Sequence, residues 1–508
     1  MWHAIVIGSG IGGLAAAAAL GKRGKRVLLL EQHTVAGGQT QTFRRQDWVF
    51  ATGVHYISGV GPHAGAEGQF GRLLAWLTDG ALQFAPCANP YDIVRLPGFE
   101  FEFGIAHPEA AYRNALLARF PDESIAIDRW FEASHQARKA AFTLMALNSL
   151  PAWAAWGLRL LRGGQADDWA RHTLADELAR IEHPHLRAVL GARWGDYGAP
   201  PASAPFVEHA LVMGAYDAGA YFPVGGPARF ADTLLPAVWS AGGECRLGAE
   251  VRRILVEGGH ACGVEISQDG VTSIERTPCV ISDIGVANTL ECLDAAEATA
   301  WRDEAGKLEP GLGFVALYLG LEGDIAAAGA TSANHWIYED TDIGRAWQRP
   351  ADEDAPGLFV SFPSLKDPAW RGPPTAEVLA LAERSAFAPW LNNADASEDY
   401  QAFKDWIAER LLAQFKRHFP ALAPMVRLCE AATPLTQQRF VRAAGGSMYG
   451  IEMTTERLGS SAVRLRTPVP GLLLTGQDVA GPGVQAAFMA GLMAAAAVDA
   501  GVWREMGR

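Results

Sequence analysis

Ile5, Val6 and Ile7 form an apolar run that stops at Gly8. It shows no polar alternation, as expected of a short strand buried on both faces. Residues 8–13 read Gly-Ser-Gly-Ile-Gly-Gly and fit G-x-G-x-x-G. Residues 14–20 are Ala- and Leu-rich and predict a helix, closed by the polar stretch around Gly24. A second apolar run, residues 27–30, ends on Glu31. Strand, glycine loop, helix, strand and acid in this order predict a dinucleotide-binding unit. Gly8 allows the tight turn, Gly10 lets backbone approach a pyrophosphate, and Gly13 brings the helix close to the strand. The helix N-terminus faces the anion, and Glu31 accepts a hydrogen bond from the adenosine ribose.

Further along, residues 39–45 and 48–56 alternate polar and apolar positions and predict a strand or extended loop, with Gly53 at a close backbone approach. Residues 62–217 lose the strand–helix alternation. Short β-like runs at 93–96 and 99–103 flank a Pro97-Gly98 turn and predict a hairpin, and residues 109–162 read as helical. Within them, residues 140–158 carry no charge and are flanked by Arg138, Lys139, Arg159 and Arg162. Pro151, Asn148 and Ser149 argue against a membrane span. Two short helices at a membrane surface, or a buried helix pair in a cap, fit equally well. A helix is expected over 228–241, a hairpin over 249–256 and 261–266 around Gly258-Gly259, and buried strands at 280–283, 313–320, 358–363 and 472–475. Residues 402–419 place Phe403, Trp406, Ile407, Leu411 and Phe415 on one helical face. Residues 323–357 and 364–400, rich in Asp, Pro and Ala, read as loops, and 485–500 as a small-residue helix.

With 508 residues and 49% apolar content, the chain can build a large core and more than one domain. A net charge of -13 argues against a nucleic-acid surface. Six scattered cysteines form no C-x-x-C, so free thiols are expected, and no residues have metal-site spacing. His183 and His185 around Pro184 read as a turn. The nucleotide unit begins almost at Met1, so no targeting segment and a cytoplasmic location are expected.

The joint pattern of G-x-G-x-x-G, Glu31, Gly37-Gly38 and T-G-x-H at 52–55 resembles the FAD-dependent phytoene desaturase, carotenoid isomerase and retinol saturase family, and more distantly the amine oxidases. The likeness extends to Y-x-P-x-G-G at 221–226, to the hairpin that follows, to P-L-T at 434–436 with Tyr449-Gly450, and to Gly476-Gln477-Asp478 with Gly481-Pro482-Gly483. It implies an α/β fold: a Rossmann-like FAD-binding domain (1–61, 222–290 and 462–508) and a mixed β-sheet plus helical-cap substrate domain (62–221 and 291–461). It also implies FAD contacts from Gly37, Gly38, Arg44 or Arg45, the Val251 backbone beside the adenine, Gly476 and Asp478 near the ribityl and phosphate, and Gly483 and Val484 under the isoalloxazine. The helix after Gly483 would stabilise negative charge at N1/O2. One departure is Ala51, where many relatives carry an acid.

No second G-x-G-x-x-G stands in a strand–helix setting, which leaves a quinone, dioxygen or an external reductant as electron partner. The expected activity is hydride exchange with flavin N5 on a C–C or C=C bond of a long apolar isoprenoid or polyene, by saturation, desaturation or isomerisation. An acid or base moves the accompanying proton. Its candidates are His55, Tyr56, Tyr449 and Glu452, with Arg457 as a partner for Glu452 or for a substrate carboxylate. Residues 140–162 would give peripheral contact with the inner membrane face. The alternatives are a flavin amine oxidase and a non-catalytic prenyl- or lipid-binding protein.

Overall fold

The computed structural model describes residues 1–61, 68–96, 101–149, 156–157, 164, 166–350, 352–391 and 398–507. Strands β1 (Ala4–Ile7) and β2 (Val27–Leu30) are buried along their whole length, as their unbroken apolar runs require. Helix α1 (Ile11–Lys22) joins them. Both belong to a five-stranded parallel sheet in the order Leu472–Leu474, Val280–Ser282, β1, β2, Glu244–Arg246. Strands far apart in sequence therefore meet in one layer. Small residues let helices crowd onto it. A Cβ at Gly491, in helix Val484–Val498, would come within 2.2 Å of the Gly12 carbonyl oxygen of α1. One at Gly21 would come equally close to the Ala237 carbonyl oxygen of helix Arg229–Ser240.

A seven-stranded mixed sheet runs Val426–Ala432, Gly313–Leu321, Thr375–Ala382, Gly357–Ser361, Asn334–Tyr338, Asp92–Leu96, Phe101–Ile105. Only the Asn334–Tyr338 and Asp92–Leu96 pairing is parallel. Two-residue periodicity splits its side chains between two cores. Ile337, Leu358, Val360, Val378 and Ala380 pack with Ile407, Leu411 and Phe415 of helix Glu398–His418. Trp336, Tyr338, Phe359, Leu379 and Leu381 face the other way, toward helices Ser124–Ser149 and Phe206–Ala215. A three-stranded antiparallel sheet, Ala249–Glu257, His260–Gln268 and Val271–Arg276, completes the expected hairpin and adds a strand.

Two stretches read as loops contain strands. Asn334–Tyr338 lies inside 323–357 and Thr375–Ala382 inside 364–400. Both are covered on two faces, so neither shows the alternation that marks a half-exposed strand. Residues 39–56 form the hairpin Thr42–Arg45 with Trp48–Ala51, followed by a loop rather than one continuous strand. His183 caps the helix Pro184–Gly191, its Nδ1 accepting from Leu186 N–H. The Pro97-Gly98 turn and most of 150–163 lie outside the described residues. Helix Ser124–Ser149 runs unbroken through the first half of the uncharged stretch. Among the described residues no helix is long and apolar enough to cross a membrane.

Candidate functional site

The turn after β1 carries Gly8 at φ +92°, a conformation that needs glycine. Its N–H donates to the Leu30 carbonyl at 2.8 Å, tying the turn to β2. A Cβ at Gly13 would lie 2.1 Å from the Gly8 carbonyl oxygen, so α1 starts as close to the strand as the expected pattern demands. Helix α1 has no side-chain cap and no acid in its first turn. Its first N–H groups and its dipole are left facing a cavity wall formed by Gly8, Gly10 and Gly12.

Glu31 sits at the end of β2, 7% exposed. Its Oε2 accepts from Ser9 N–H at 2.9 Å and Ser9 Oγ at 2.7 Å, and its Oε1 accepts from His33 N–H at 2.8 Å. Ser9 Oγ in turn accepts from Gly37 N–H at 3.1 Å. The acid therefore orders the glycine loop, and it still lines the cavity. Gly37, Gly38, Val251, Gly476, Asp478, Gly483 and Val484 line it too. Val251 stands where the pairing of its strand slips, leaving Arg252 out of the ladder. Asp478 spends its oxygens on the backbone N–H groups of Val286 (2.9 Å) and Ile451 (3.0 Å), joining three segments around the site.

The cavity has a volume of about 1310 Å³. That exceeds the 300–1,000 Å³ usual for one small ligand. Beyond Thr52 and Gly53 its wall turns aromatic and aliphatic: Trp194, Tyr216, Trp336, Tyr338, Phe359 and Leu381. Its rim carries Arg138, Lys139 and Phe142, the last 64% exposed.

His55, Tyr56 and Tyr449 all stand on this wall. His55 Nδ1 lies 2.9 Å from Glu377 Oε2, and Glu377 is fully buried on the central strand Thr375–Ala382. The other oxygen of Glu377 accepts from Ala51 N–H at 2.9 Å. An acid thus reaches position 51 from another strand, although Ala51 carries none. The Tyr56 hydroxyl is within 3.0 and 3.1 Å of the Asp196 carboxylate oxygens and 3.3 Å of Asp92. Burial pushes its ionisation far above the tyrosine norm. Burial also pushes up Tyr449.

Behind Tyr56 lies a closed set of charges. Arg193, 1% exposed, pairs with Asp92 at 2.9 Å and Asp196 at 2.8 Å and donates to the Tyr91 hydroxyl at 2.9 Å. Lys366 donates to the His55 carbonyl at 2.8 Å and to Ser361 Oγ at 2.7 Å, and also to Asn334, whose amide donates to Asp92 at 3.1 Å. Two cations thus balance two carboxylates in the interior. Burial raises both acids, Asp92 to about 6, against the pull of Arg193, and burial lowers Lys366.

Two expected site residues lie elsewhere. Arg45 is exposed and pairs with Glu430 at 3.2 Å, because its hairpin strand turns outward; Arg44 beside it is exposed as well. Glu452 is not on the cavity wall and accepts from Ser203 Oγ at 2.9 Å, pinning a loop. Arg457 is buried and donates to the Ile451 and Gln477 carbonyls, so it pairs with neither Glu452 nor a ligand. Asp92, Arg193, Asp196, Lys366 and Glu377 were not legible as site residues. They come from four separated segments, and only the fold brings them together. Among the described residues no cluster of metal-binding side chains occurs.

Residues 6–70 match the model of an NAD(P)-binding Rossmann-like domain. The all-trans-retinol 13,14-reductase of Homo sapiens is 33% identical over 97% of this chain and 85% of that protein. The chain belongs to this reductase family. A chloroplastic prolycopene isomerase of Daucus carota is 23% identical over 98% of the chain and 80% of its own length. Among solved structures, the cyclohexylamine oxidase of Brevibacterium oxydans aligns over 100% of both chains at a TM-score of 0.61 and 16% identity, a likeness of fold. The chain is an oxidoreductase on an amine-oxidase-like fold, as its motifs imply.

Proposed function

We propose that this protein holds FAD as a resident cofactor and exchanges hydride with a carbon–carbon double bond of a long apolar isoprenoid or polyene of the retinoid or carotenoid class. The observation that carries the reading is that one cavity is lined both by the glycines and polar groups of the nucleotide unit and by aromatic side chains, with His55 on the same wall. The wall suits the cofactor: Gly8, Gly10 and Gly12 line it at the uncapped N-terminus of α1, and nothing lies within 4 Å of a Cβ built at Gly483. Gly8, Gly10, Gly37, Gly38, Glu31 and the Val251 backbone would hold the adenosine and pyrophosphate. Gly476, Gly483 and Val484 would face the remainder. When bound, the flavin supplies two-electron hydride chemistry at N5.

Saturating a double bond needs one hydride and one proton. Imidazole suits proton transfer near neutral pH, and we assign that transfer to His55, oriented by the Glu377 carboxylate behind Nδ1. Tyr56 keeps its proton, and its hydroxyl shapes the same stretch of wall. Tyr449 packs against Gly198 and lines the chamber, and burial with the nearby Asp196 charge keeps its proton on. Aromatic and aliphatic walls exclude water and align an elongated hydrocarbon. Exposed Phe142 beside Lys139 at the rim supports substrate uptake from a membrane surface. With no second G-x-G-x-x-G in a strand–helix setting in this sequence, a quinone, dioxygen or an external reductant is left as electron partner.

Denaturing the purified protein and identifying the released cofactor by chromatography tests the first half of this reading. Stoichiometric FAD is expected. Release of NAD(P) alone, or failure of the cofactor-free chain to take up added FAD, contradicts it.

A further inference from the structure

Asp283 follows strand Val280–Ser282 and points under the glycine loop. Its carboxyl oxygens fill the space that the glycines leave. A Cβ at Gly10 would come within 2.5 Å of Oδ2, and a Cβ at Gly12 or Gly476 within 2.5 Å of Oδ1. This explains why Gly12 and Gly476, neither part of G-x-G-x-x-G, are glycine. The carboxyl accepts from Gly13 N–H, and Asp283 lines the cavity at the N-terminus of α1. That is the place where a dinucleotide puts two phosphates.

A second anion beside a pyrophosphate would repel it. The charged groups acting on Asp283 are Glu31, at the end of β2, and Asp478, on helix Gln477–Ala480. Both are acids, and both accept hydrogen bonds from two backbone N–H groups. Asp283 accepts from one N–H, stands half-buried on the cavity wall and, among the described residues, faces no cation, so it is the carboxyl of the three that keeps its proton at least cost. Burial is the main cause, and its titration is pushed up to about 8.

We propose that Asp283 is a neutral carboxylic acid that donates its proton in a hydrogen bond to a pyrophosphate oxygen of the bound dinucleotide. The inference rests on the FAD reading above and adds a donor to a site otherwise built from backbone N–H groups. An ordinary Asp at this place would oppose binding; a protonated one joins the helix N-terminus in favouring it. Binding then requires a proton on Asp283. Above the titration of the free site, each unit of pH must cost affinity, because the carboxylate has to regain its proton.

The test is FAD titration into the full-length cofactor-free chain from about pH 6 to about pH 9.5, followed by flavin fluorescence, for wild type and Asp283→Asn. The amide keeps the shape and a donor but does not titrate. The wild-type dissociation constant should be flat below about pH 7 and rise toward tenfold per unit above about pH 8. That of the variant should stay flat throughout. An equal slope in Asp283→Asn, or a flat wild type, overturns the proposal. Should the variant fail to fold, calorimetry of the wild type in two buffers of different ionisation enthalpy decides instead. Uptake of about one proton on binding FAD at about pH 9, and none at about pH 7, is expected; no uptake at about pH 9 overturns it. If wild type binds no FAD at any pH, the cofactor reading fails, and the outcome is distinct from a failure of the Asp283 assignment.

Discussion

Glu31 holds three protein hydrogen bonds, two from Ser9 and one from His33. Its loss would release the glycine loop as well as the ribose contact proposed for it. Hydrogen bonds to charged groups contribute about 1.5–3 kcal/mol each, so Glu31→Ala should weaken FAD binding at least about tenfold. Flavin content after dialysis measures this, and full retention would remove the assignment. His55 calls for the opposite signature. His55→Asn should keep its flavin while the rate of substrate-dependent flavin turnover falls about 10²–10⁴-fold. Glu377→Gln should change the pH profile of that rate, which a purely structural acid would leave in place. The local motif made Gly8, Gly10, Gly13 and Glu31 readable from sequence, because each job there is done within a few dozen residues of chain. His55 and Tyr56 were readable only as neighbours of that motif. Glu377, whose carboxylate lies 2.9 Å from His55 Nδ1, stands more than three hundred positions away on a strand whose sequence reads as a loop.

Elements of the cap and the mixed sheet are joined by charge as much as by apolar packing. Arg193, in the short helical segment Ala192–Asp196, reaches Asp92 on strand Asp92–Leu96, and its guanidinium lies 4.4 Å over the Tyr216 ring. Taking away one partner leaves two carboxylates buried without their cation, a change that costs about 3–5 kcal/mol in comparable sites. Arg193→Met should therefore lower the denaturant midpoint clearly, and Asp92→Asn added to it should recover part of the loss, since it removes one of the two buried carboxylates that burial already pushes up, Asp92 to about 6. Additive losses would mean the groups do not act as one unit. Strands Gly313–Leu321 and Gly357–Ser361 follow from unbroken apolar runs, the hairpin partner of Asp92–Leu96 from turn residues and helix Glu398–His418 from periodicity. Asn334–Tyr338 and Thr375–Ala382 do not, because burial on both faces removes the alternation and the buried polar residues Asn334, His335, Thr375 and Glu377 break the apolar run. Arg45 shows the reverse error. A basic residue after the double glycine fits the family pattern, yet its strand carries it to the surface and Glu430.

At the scale of the molecule, strands from the start, middle and end of the chain share one parallel sheet, and their loops converge on one cavity. The two nucleotide-facing ends were legible because glycine spacing and helix position are local. The aromatic chamber was legible only in composition, since its residues come from the cap and from alternate positions of the mixed sheet. Family membership fixes an oxidoreductase; the chamber argues for a long hydrocarbon. The most direct test of that claim uses the flavin as its own indicator. The protein, loaded with FAD and chemically reduced without oxygen, is mixed with all-trans-retinol or a carotenoid in detergent. Stoichiometric reappearance of oxidised flavin, together with a product two hydrogens heavier, is the expected result. Reduced flavin that stays reduced with every polyene, while an amine reduces the oxidised protein, would contradict the account.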